Sequence, residues 1–281
     1  MSIGVGKYYD RLGRWNGVAR VFGYGGGRGT LTVHRALADP SAHGRPTFTR
    51  LHDVLLEHLP LLDTPRVLDA GCGLGGTMFA LAEASGATCV GLTLSRSQAE
   101  AANAAATRLA LHSRVKAIVQ GYDHPPSGPF DLVVAIESLA HSADPATSVA
   151  ALAAVLAPGG RLVVIDDMPE PAAAASEDLI TFKAGWQCPV LWSASAYQAA
   201  FARAGLSDVT QLDLTADCRP RSQARAGQLM MINRFVHRLV PAGLQQVMDS
   251  HMGGLALERL TRAGLVRYRL LIARRADLQV S

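Results

Sequence analysis

A carboxylate and a dense run of glycines follow a short apolar segment within residues 67–77. Val67 and Leu68 predict a buried strand that leads into Asp69 and then into the glycines. Because glycine has no Cβ, Gly71 and Gly73 let backbone amides come close to a ligand. The segment therefore predicts a turn that binds a nucleoside-containing cofactor beside one negative charge.

Residues 71–76 also fit the G-x-G-x-x-G pattern of dinucleotide-binding turns. A pyrophosphate would face the like charge of Asp69, two positions before the first glycine. Dinucleotide enzymes also place an acidic residue about 20 positions after the glycines, where this chain has Thr93. S-adenosylmethionine carries a sulfonium and an ammonium group, and the same carboxylate attracts both. The charges favour S-adenosylmethionine over a dinucleotide.

Two further motifs carry a family resemblance, the Thr-Leu-Ser-x-x-Gln signature of residues 93–98 and the Glu-x-x-x-His element of residues 137–141. Together with the first turn they resemble the class I S-adenosylmethionine methyltransferases, and within them the branch of sterol, tocopherol and geranyl diphosphate C-methyltransferases. The resemblance covers residues 50–215 well and is loose at both ends of the chain. It implies a Rossmann-like methyltransferase fold with S-adenosylmethionine as the cofactor.

Apolar segments alternate with helical ones through the middle of the chain, which predicts parallel crossovers and a doubly wound α/β sheet. With the resemblance, the expected fold is a seven-stranded, mostly parallel sheet. Residues 1–45 are interpreted as an N-terminal helical lid and substrate segment, because they are rich in aromatic side chains. The alternative is that these aromatics only pack a short helix onto the main domain. Residues 46–281 form the expected methyltransferase domain, in which residues 216–260 are a helical substrate-cap insertion before the last strand.

Composition and residue spacing argue against several kinds of binding site. The 281 residues include four cysteines without a C-x-x-C pair, so neither a zinc site nor a disulfide framework is expected. No basic stripe with interleaved aromatics indicates nucleic acid, and no apolar run approaches the length of a membrane span. Without an N-terminal signal segment, a cytoplasmic protein with a small-molecule substrate is expected. A homo-oligomer is left open.

The cofactor residues are expected at the carboxyl ends of the parallel strands, where ligands bind in open α/β sheets. The first turn would hold the methionine part, Thr93 and Gln98 the ribose, and the end of the third strand the adenine. For Asp123, a purely turn-forming role is the alternative. The full predicted set is Asp69, Gly71, Cys72, Gly73, Thr93, Leu94, Gln98, Tyr122, Asp123 and Ile136.

Methyl transfer from a sulfonium is an in-line displacement, so the enzyme must above all align the acceptor in a dry pocket. If the acceptor is an alkene carbon, a base must also remove a proton from the resulting cation. Glu137 follows the apolar fourth strand and suits that role, with His141 as its acid–base partner. The alternative is that Glu137 anchors the loop and His141 is a structural histidine.

Side chains near the two ends of the chain and in the region after the fifth strand are expected to contact the substrate. Aromatic faces could stabilise a cation, and clustered arginines could bind a diphosphate, although packing and a solvated surface are the respective alternatives. The candidates are Tyr9, Tyr24, Trp186, Trp192, Arg219 and Arg221. No metal-binding spacing of histidines is present, and Mg²⁺ is expected only with a diphosphate substrate.

The interpretation is methyl transfer to a carbon of a hydrophobic, isoprenoid-like small molecule in natural-product metabolism, with a prenyl diphosphate as one candidate. The alternative is an O- or N-methyltransferase of a small natural product, which uses the same core and needs Glu137 less. A cofactor-binding protein without transfer activity is the third hypothesis.

Overall fold

The structure is a computed structural model of the chain. It describes residue 6, residues 9–10, 31–58 and 64–277, and within these the side chains of all but residues 242 and 243. Most of the predicted N-terminal lid, including Tyr24, therefore lies outside the described residues.

Seven strands form the main sheet, namely β3 (Arg66–Ala70), β4 (Thr88–Thr93), β5 (Val115–Val119), β6 (Phe130–Ile136), β7 (Leu156–Pro169), β8 (Leu206–Asp213) and β9 (Val266–Arg275). Their spatial order is β5-β4-β3-β6-β7-β9-β8. All neighbouring strands are parallel except β9, which runs antiparallel to both β7 and β8. The predicted seven-stranded, mostly parallel, doubly wound sheet is confirmed.

Helices cover both faces of this sheet. Helix α2 (Gly76–Ser85) ends at Gly86, which has the left-handed conformation. The side chain of Ser95 caps the start of helix α3 (Arg96–Arg108) by accepting a hydrogen bond from the Gln98 amide. The helices of eight or more residues in the described ranges are α1 (Arg50–His58), α2 (Gly76–Ser85), α3 (Arg96–Arg108), α4 (Pro145–Ala154), α5 (Glu177–Trp186), α6 (Ala194–Arg203), α7 (Gln223–His237) and α8 (Ala242–Arg262). None of them is long and apolar enough to cross a lipid bilayer.

Two features differ from the sequence-based expectation. A small antiparallel hairpin, β1 (Leu37–Asp39) with β2 (Arg45–Thr47), precedes the main sheet and was not predicted. Strand β7 begins at Leu156, before the Pro-Gly-Gly turn that was expected to precede it. The reason is that Phe130 of β6 already pairs with Leu156, ahead of an irregularity in the register.

Alternating side chains of the strands build an apolar core on each face of the sheet. In β6, Leu132 and Val134 point into the layer under α1, α2 and α3, while Val133 and Ala135 point into the layer under α4 and α6. Burial on both faces explains why β6 is an almost continuous apolar run. This arrangement fixes the strand ends from which the candidate site is built.

The segment predicted as an insertion is largely helical. Helix α8 packs against both α5 and α7, and the three helices form a third apolar cluster around Phe182, Met230 and Leu260. Val266, the first residue of β9, joins this cluster. The role of residues 216–260 as a substrate cap stays a prediction.

Asn103 of α3 covers the open edge of the sheet. Its side chain donates to the Ala117 carbonyl and accepts from the Ala117 amide, both at 2.9 Å. Ala117 lies in β5, which pairs on its other side with β4. One asparagine thus satisfies two backbone groups of an edge strand and holds α3 in place.

We expect Asn103→Ala to lower the free energy of unfolding by about 1–2 kcal/mol, because two backbone groups lose their partner. Urea denaturation measures this value. Thr107→Ala on the same helix is the matched control, since Thr107 is exposed and bonds only to the Asn103 carbonyl. Equal stability of the two variants would contradict the assigned role of Asn103.

Candidate functional site

A cavity of about 610 Å³ opens at the carboxyl ends of β3, β4 and β6. Its walls come from the turn after β3, the start of α3, the segment after β6, the end of α5 and residues 31–34. Thirteen of the predicted site residues line it, namely Tyr9, Asp69, Gly71, Cys72, Gly73, Thr93, Leu94, Gln98, Tyr122, Ile136, Glu137, His141 and Trp186.

The turn after β3 is closed tightly against neighbouring strands. The amides of Gly71 and Cys72 donate to the Leu92 carbonyl at 3.0 and 2.9 Å. Gly71 has a φ of 110°, and a Cβ at this position would overlap the side chain of Ser138. Ser138 in turn donates to the Ala70 carbonyl at 2.5 Å. Only glycine fits here. Gly71 therefore lines the cavity with backbone atoms alone.

Asp69 contributes a buried carboxyl group to the cavity wall. It is 3% exposed, and no hydrogen bond or ion pair to it is found among the described residues. Burial raises the pKa of Asp69 to about 7. A cation beside this group would compensate the cost of its charge, so the group suits a positively charged ligand.

Thr93 and Gln98 are held together at the end of β4. The Thr93 hydroxyl donates to the Gln98 side-chain oxygen at 2.8 Å and accepts from the Ser95 amide at 3.1 Å. The Ser95 and Ser97 hydroxyls donate to Asp10 at 2.5 and 2.8 Å. Asp10 and Ser97 also line the cavity, and sequence analysis missed them because nothing in the spacing links residue 10 to α3.

Tyr122 and Asp123 take different positions. The Tyr122 hydroxyl is buried and donates to the Ser138 carbonyl at 2.9 Å, beside the cavity. Asp123 does not line the cavity, and its carboxylate accepts from the Ser148 hydroxyl at 2.6 Å. Contact between Asp123 and the adenine stays a prediction.

Glu137 takes part in a buried network that joins residues 31–35 to the sheet. It has a φ of 48°, and its Oε1 accepts from the Arg35 amide at 2.9 Å and from the Tyr268 hydroxyl at 2.8 Å. The Arg35 guanidinium makes two bonds to Asp167, at 3.0 and 2.9 Å, and lies 4.8 Å from the centre of the Tyr268 ring. We call these four residues the Arg35 network.

The Arg35 network holds one wall of the cavity. Leu31, four residues before Arg35, accepts from the amide of Gly76 at 3.0 Å, so the segment lies on the start of α2. Burial raises the pKa of Asp167 to about 7, although the Arg35 charge opposes this shift. Sequence analysis missed Arg35, Asp167 and Tyr268. The acidic pair at the end of β7 was a usable signal, because that strand ends at the same edge as the site.

His141 stands in the cavity wall as a buried histidine. Its Nδ1 lies 3.3 Å from the Gln187 carbonyl, which can only accept, so Nδ1 carries the proton. Its Nε2 lies 2.7 Å from the Tyr9 hydroxyl and accepts from it. Burial lowers the pKa of His141, while the Gln187 carbonyl and the Glu137 charge oppose the shift. The ring is therefore a neutral base at neutral pH.

Of the remaining substrate candidates in the described residues, Trp186 lines the cavity and the others do not. Trp186 lines the cavity beside Phe182 and Cys188. Trp192, by contrast, packs edge-on against Tyr197, with 5.3 Å between ring centres, in the core under α4 and α6. Arg219 and Arg221 do not line the cavity, and Arg221 pairs with Glu258 at 2.7 Å. Tyr24 lies outside the described residues.

A group of three or more potential metal ligands is absent from the part of the chain that the structure describes. The cavity instead fits a cationic nucleoside cofactor on two observations. Gly71 and Gly73 line the cavity with backbone atoms alone, and Asp69 presents a buried carboxyl group to which no described lysine or arginine is bonded.

Residues 41–211 match the family model described as a methyltransferase domain. The chain belongs to the methyltransferase-domain family. These residues form a class I S-adenosylmethionine-dependent methyltransferase domain, and S-adenosylmethionine is its cofactor. Asp69, the glycine turn, Thr93 and Gln98 are the residues that we propose hold it.

Two curated relatives show how far the similarity extends. Tocopherol O-methyltransferase of Arabidopsis thaliana is 45% identical over 103 residues, which cover 36% of this chain and 29% of the relative. The 27-O-demethylrifamycin SV methyltransferase of Amycolatopsis mediterranei is 34% identical over 186 residues, which cover 65% of this chain and 68% of the relative. The match thus spans less than a third of the first relative and about two thirds of the second.

The fold is shared with solved methyltransferase structures. Geranyl diphosphate C-methyltransferase from Streptomyces coelicolor superposes with a TM-score of 0.68 at 23% identity, over 86% of this chain and 87% of that chain. At this identity the likeness concerns the fold.

Asp69→Asn tests the role of the buried carboxyl group. The raised pKa means that the folded protein keeps a proton that the unfolded chain releases, so stability from this group is lost as pH rises toward the folded pKa of about 7. From pH 5 to 7, we expect wild type to lose stability relative to Asp69→Asn by about 1 kcal/mol per pH unit, with the slope falling as pH approaches 7. Urea denaturation across this range measures the difference.

The same substitution should weaken S-adenosylmethionine binding by about tenfold or more, since a charged partner is lost. Calorimetric titration measures the Kd, and Glu83→Gln, an exposed site on α2, is the control. Wild-type affinity in Asp69→Asn, together with an unchanged pH dependence of stability, would exclude the role given to Asp69.

Proposed function

We propose that this protein is an S-adenosylmethionine-dependent O-methyltransferase that acts on a hydroxyl group of a small, largely apolar natural product. One observation carries the proposal. A neutral histidine, His141, presents Nε2 to a hydroxyl group within the cavity, which here is the hydroxyl of Tyr9 at 2.7 Å. That hydroxyl marks a place where an acceptor hydroxyl could bind.

The bound cofactor supplies an electrophilic methyl group. His141 would take the proton of the acceptor hydroxyl at Nε2 as the oxygen becomes nucleophilic. The bond from Nδ1 to the Gln187 carbonyl keeps the tautomer and the ring orientation suited to this role. Tyr9 lines the cavity and its hydroxyl would have to give way to the acceptor.

We call the part of the cavity around Glu137 and His141 the substrate end. The charges there favour a neutral acceptor over a diphosphate. Glu137, Asp166 and Asp167 all line the cavity. Arg35 balances one of these carboxyl groups through its bonds to Asp167. Among the described lining residues, Arg96 is the one lysine or arginine. A diphosphate would meet several carboxyl groups and few cations here, and the predicted diphosphate ligands Arg219 and Arg221 do not line the cavity.

The names of the two relatives support the same choice of acceptor. The plant relative is a tocopherol O-methyltransferase, and the bacterial relative is named for a methyl group on an oxygen of rifamycin SV. The aromatic side chains Tyr9, Phe182 and Trp186 in the wall suit an apolar acceptor body.

Methyl transfer to carbon is the second candidate, because the same wall could serve a cation. The faces of Tyr9, Phe182 and Trp186 lie in one cavity with the carboxylate of Glu137. The fold is also that of a geranyl diphosphate C-methyltransferase. In this route Glu137 would be the base that removes the proton.

We expect His141→Gln to lower kcat by about 10²–10⁴-fold, the usual contribution of a general base. Binding of S-adenosylmethionine should remain close to wild type. In wild type, the acidic limb of the kcat–pH profile should fall below the ordinary histidine pKa, because burial lowers the pKa of His141. Turnover of labelled cofactor with a panel of phenols and aliphatic alcohols measures both effects. A variant with full activity would reject His141 as the base.

Glu137→Gln separates the two routes. A glutamine oxygen can still accept from the Arg35 amide and the Tyr268 hydroxyl, so the wall should stay in place. We therefore expect turnover within about threefold of wild type, since a structural acceptor needs no charge. A loss of about 10²-fold or more, with the methyl group found on carbon by NMR, would favour the second candidate.

A further inference from the structure

Helix α7 presents two different faces. Its inner face is buried at Ala226, Met230 and Asn233, which pack toward α8 and α5. The Asn233 side chain donates to the Met248 carbonyl of α8 at 2.9 Å. The helix is therefore held on the domain by apolar packing and a buried hydrogen bond, and its other face points outward.

The outward face is strongly apolar. Met231, Ile232 and Phe235 are 66%, 57% and 68% exposed, and Leu239, just after the helix, is 70% exposed. At 3.6 residues per turn, these side chains fall within an arc of about 100° opposite the buried face. We call these four residues the apolar stripe. Scattered single apolar residues are normal on a surface, but four on one helix face indicate a binding surface.

Basic residues accompany the apolar stripe. The sequence has no Asp or Glu between Arg219 and Met248, while it has five arginines there. Arg225, Arg234 and Arg238 are exposed. By helical geometry Arg234 and Arg238 flank one side of the stripe and Arg225 flanks the other. An apolar stripe between cations, without a carboxylate on the helix, is complementary to a surface that is apolar inside and anionic outside.

We propose that the apolar stripe of α7 docks onto an anionic lipid bilayer surface. The stripe would enter the boundary between head groups and acyl chains, and the flanking arginines would contact lipid phosphates. A second copy of this chain fits less well, since a two-fold contact would bring the α7 arginines of both copies together and α7 itself has no acidic residue to pair with them. The proposal does not depend on the atom that accepts the methyl group.

The experiment is co-sedimentation of the full chain with vesicles of phosphatidylcholine alone or with 30% phosphatidylglycerol. We expect binding to the anionic vesicles that exceeds binding to the neutral ones by about tenfold or more and that weakens with added salt, because each arginine near the surface contributes about 1 kcal/mol. The double variant Phe235→Ser with Leu239→Ser should lose this binding. Leu109→Ser, an exposed leucine at the end of α3, is the control and should bind like wild type.

A second double variant distinguishes a loss of vesicle binding from a loss of folding. Arg234→Gln with Arg238→Gln changes only exposed side chains, and should reduce anionic-vesicle binding about tenfold while circular dichroism stays unchanged. Equal binding to both kinds of vesicle, or no binding to either, would overturn the proposal. A dimer in light scattering that Phe235→Ser dissociates would overturn it in favour of a contact between copies.

Discussion

A carboxyl group buried without a cation is the constraint on which the site depends. Asp69 follows the apolar residues of a central strand, and no described side chain or amide compensates its charge. Its pKa of about 7 expresses the cost of that arrangement. The cavity explains why the cost is tolerated, since Asp69 lines it together with the glycine turn and a positively charged ligand there would lie beside the carboxyl group. We propose that the same group, which destabilises the ligand-free protein, favours binding of the cationic cofactor.

The Arg35 network gives the substrate end of the cavity its shape. It joins a segment that precedes the hairpin to β7 and β9 through one guanidinium, two carboxylates and one phenol. Its contacts make Glu137 a fixed hydrogen-bond acceptor at the end of β6, while burial keeps His141 neutral in the same wall. We propose a hydroxyl acceptor because of this difference between the two side chains.

Sequence reasoning found what local pattern determines. The apolar runs of β3 and β6, the glycine turn and the Ser95 cap each follow from a few adjacent residues, and the structure has them where they were expected. The side-chain partners of Glu137 were beyond reach, because they come from residues 102 and 131 positions away. Arg221 and Trp192 show the converse problem. Their residue types suited a substrate, but type does not determine which side of an element faces the cavity.

We propose above all that a cation binds beside Asp69 and that the carboxyl group then releases its proton. Calorimetric titration of S-adenosylmethionine near pH 6.5, in buffers of different ionisation enthalpy, counts the protons exchanged on binding. The account predicts release of part of one proton in wild type, since the pKa of Asp69 falls when the cation arrives. It also predicts that this release is absent in Asp69→Asn. Binding without proton release, or the same release in both proteins, would contradict it.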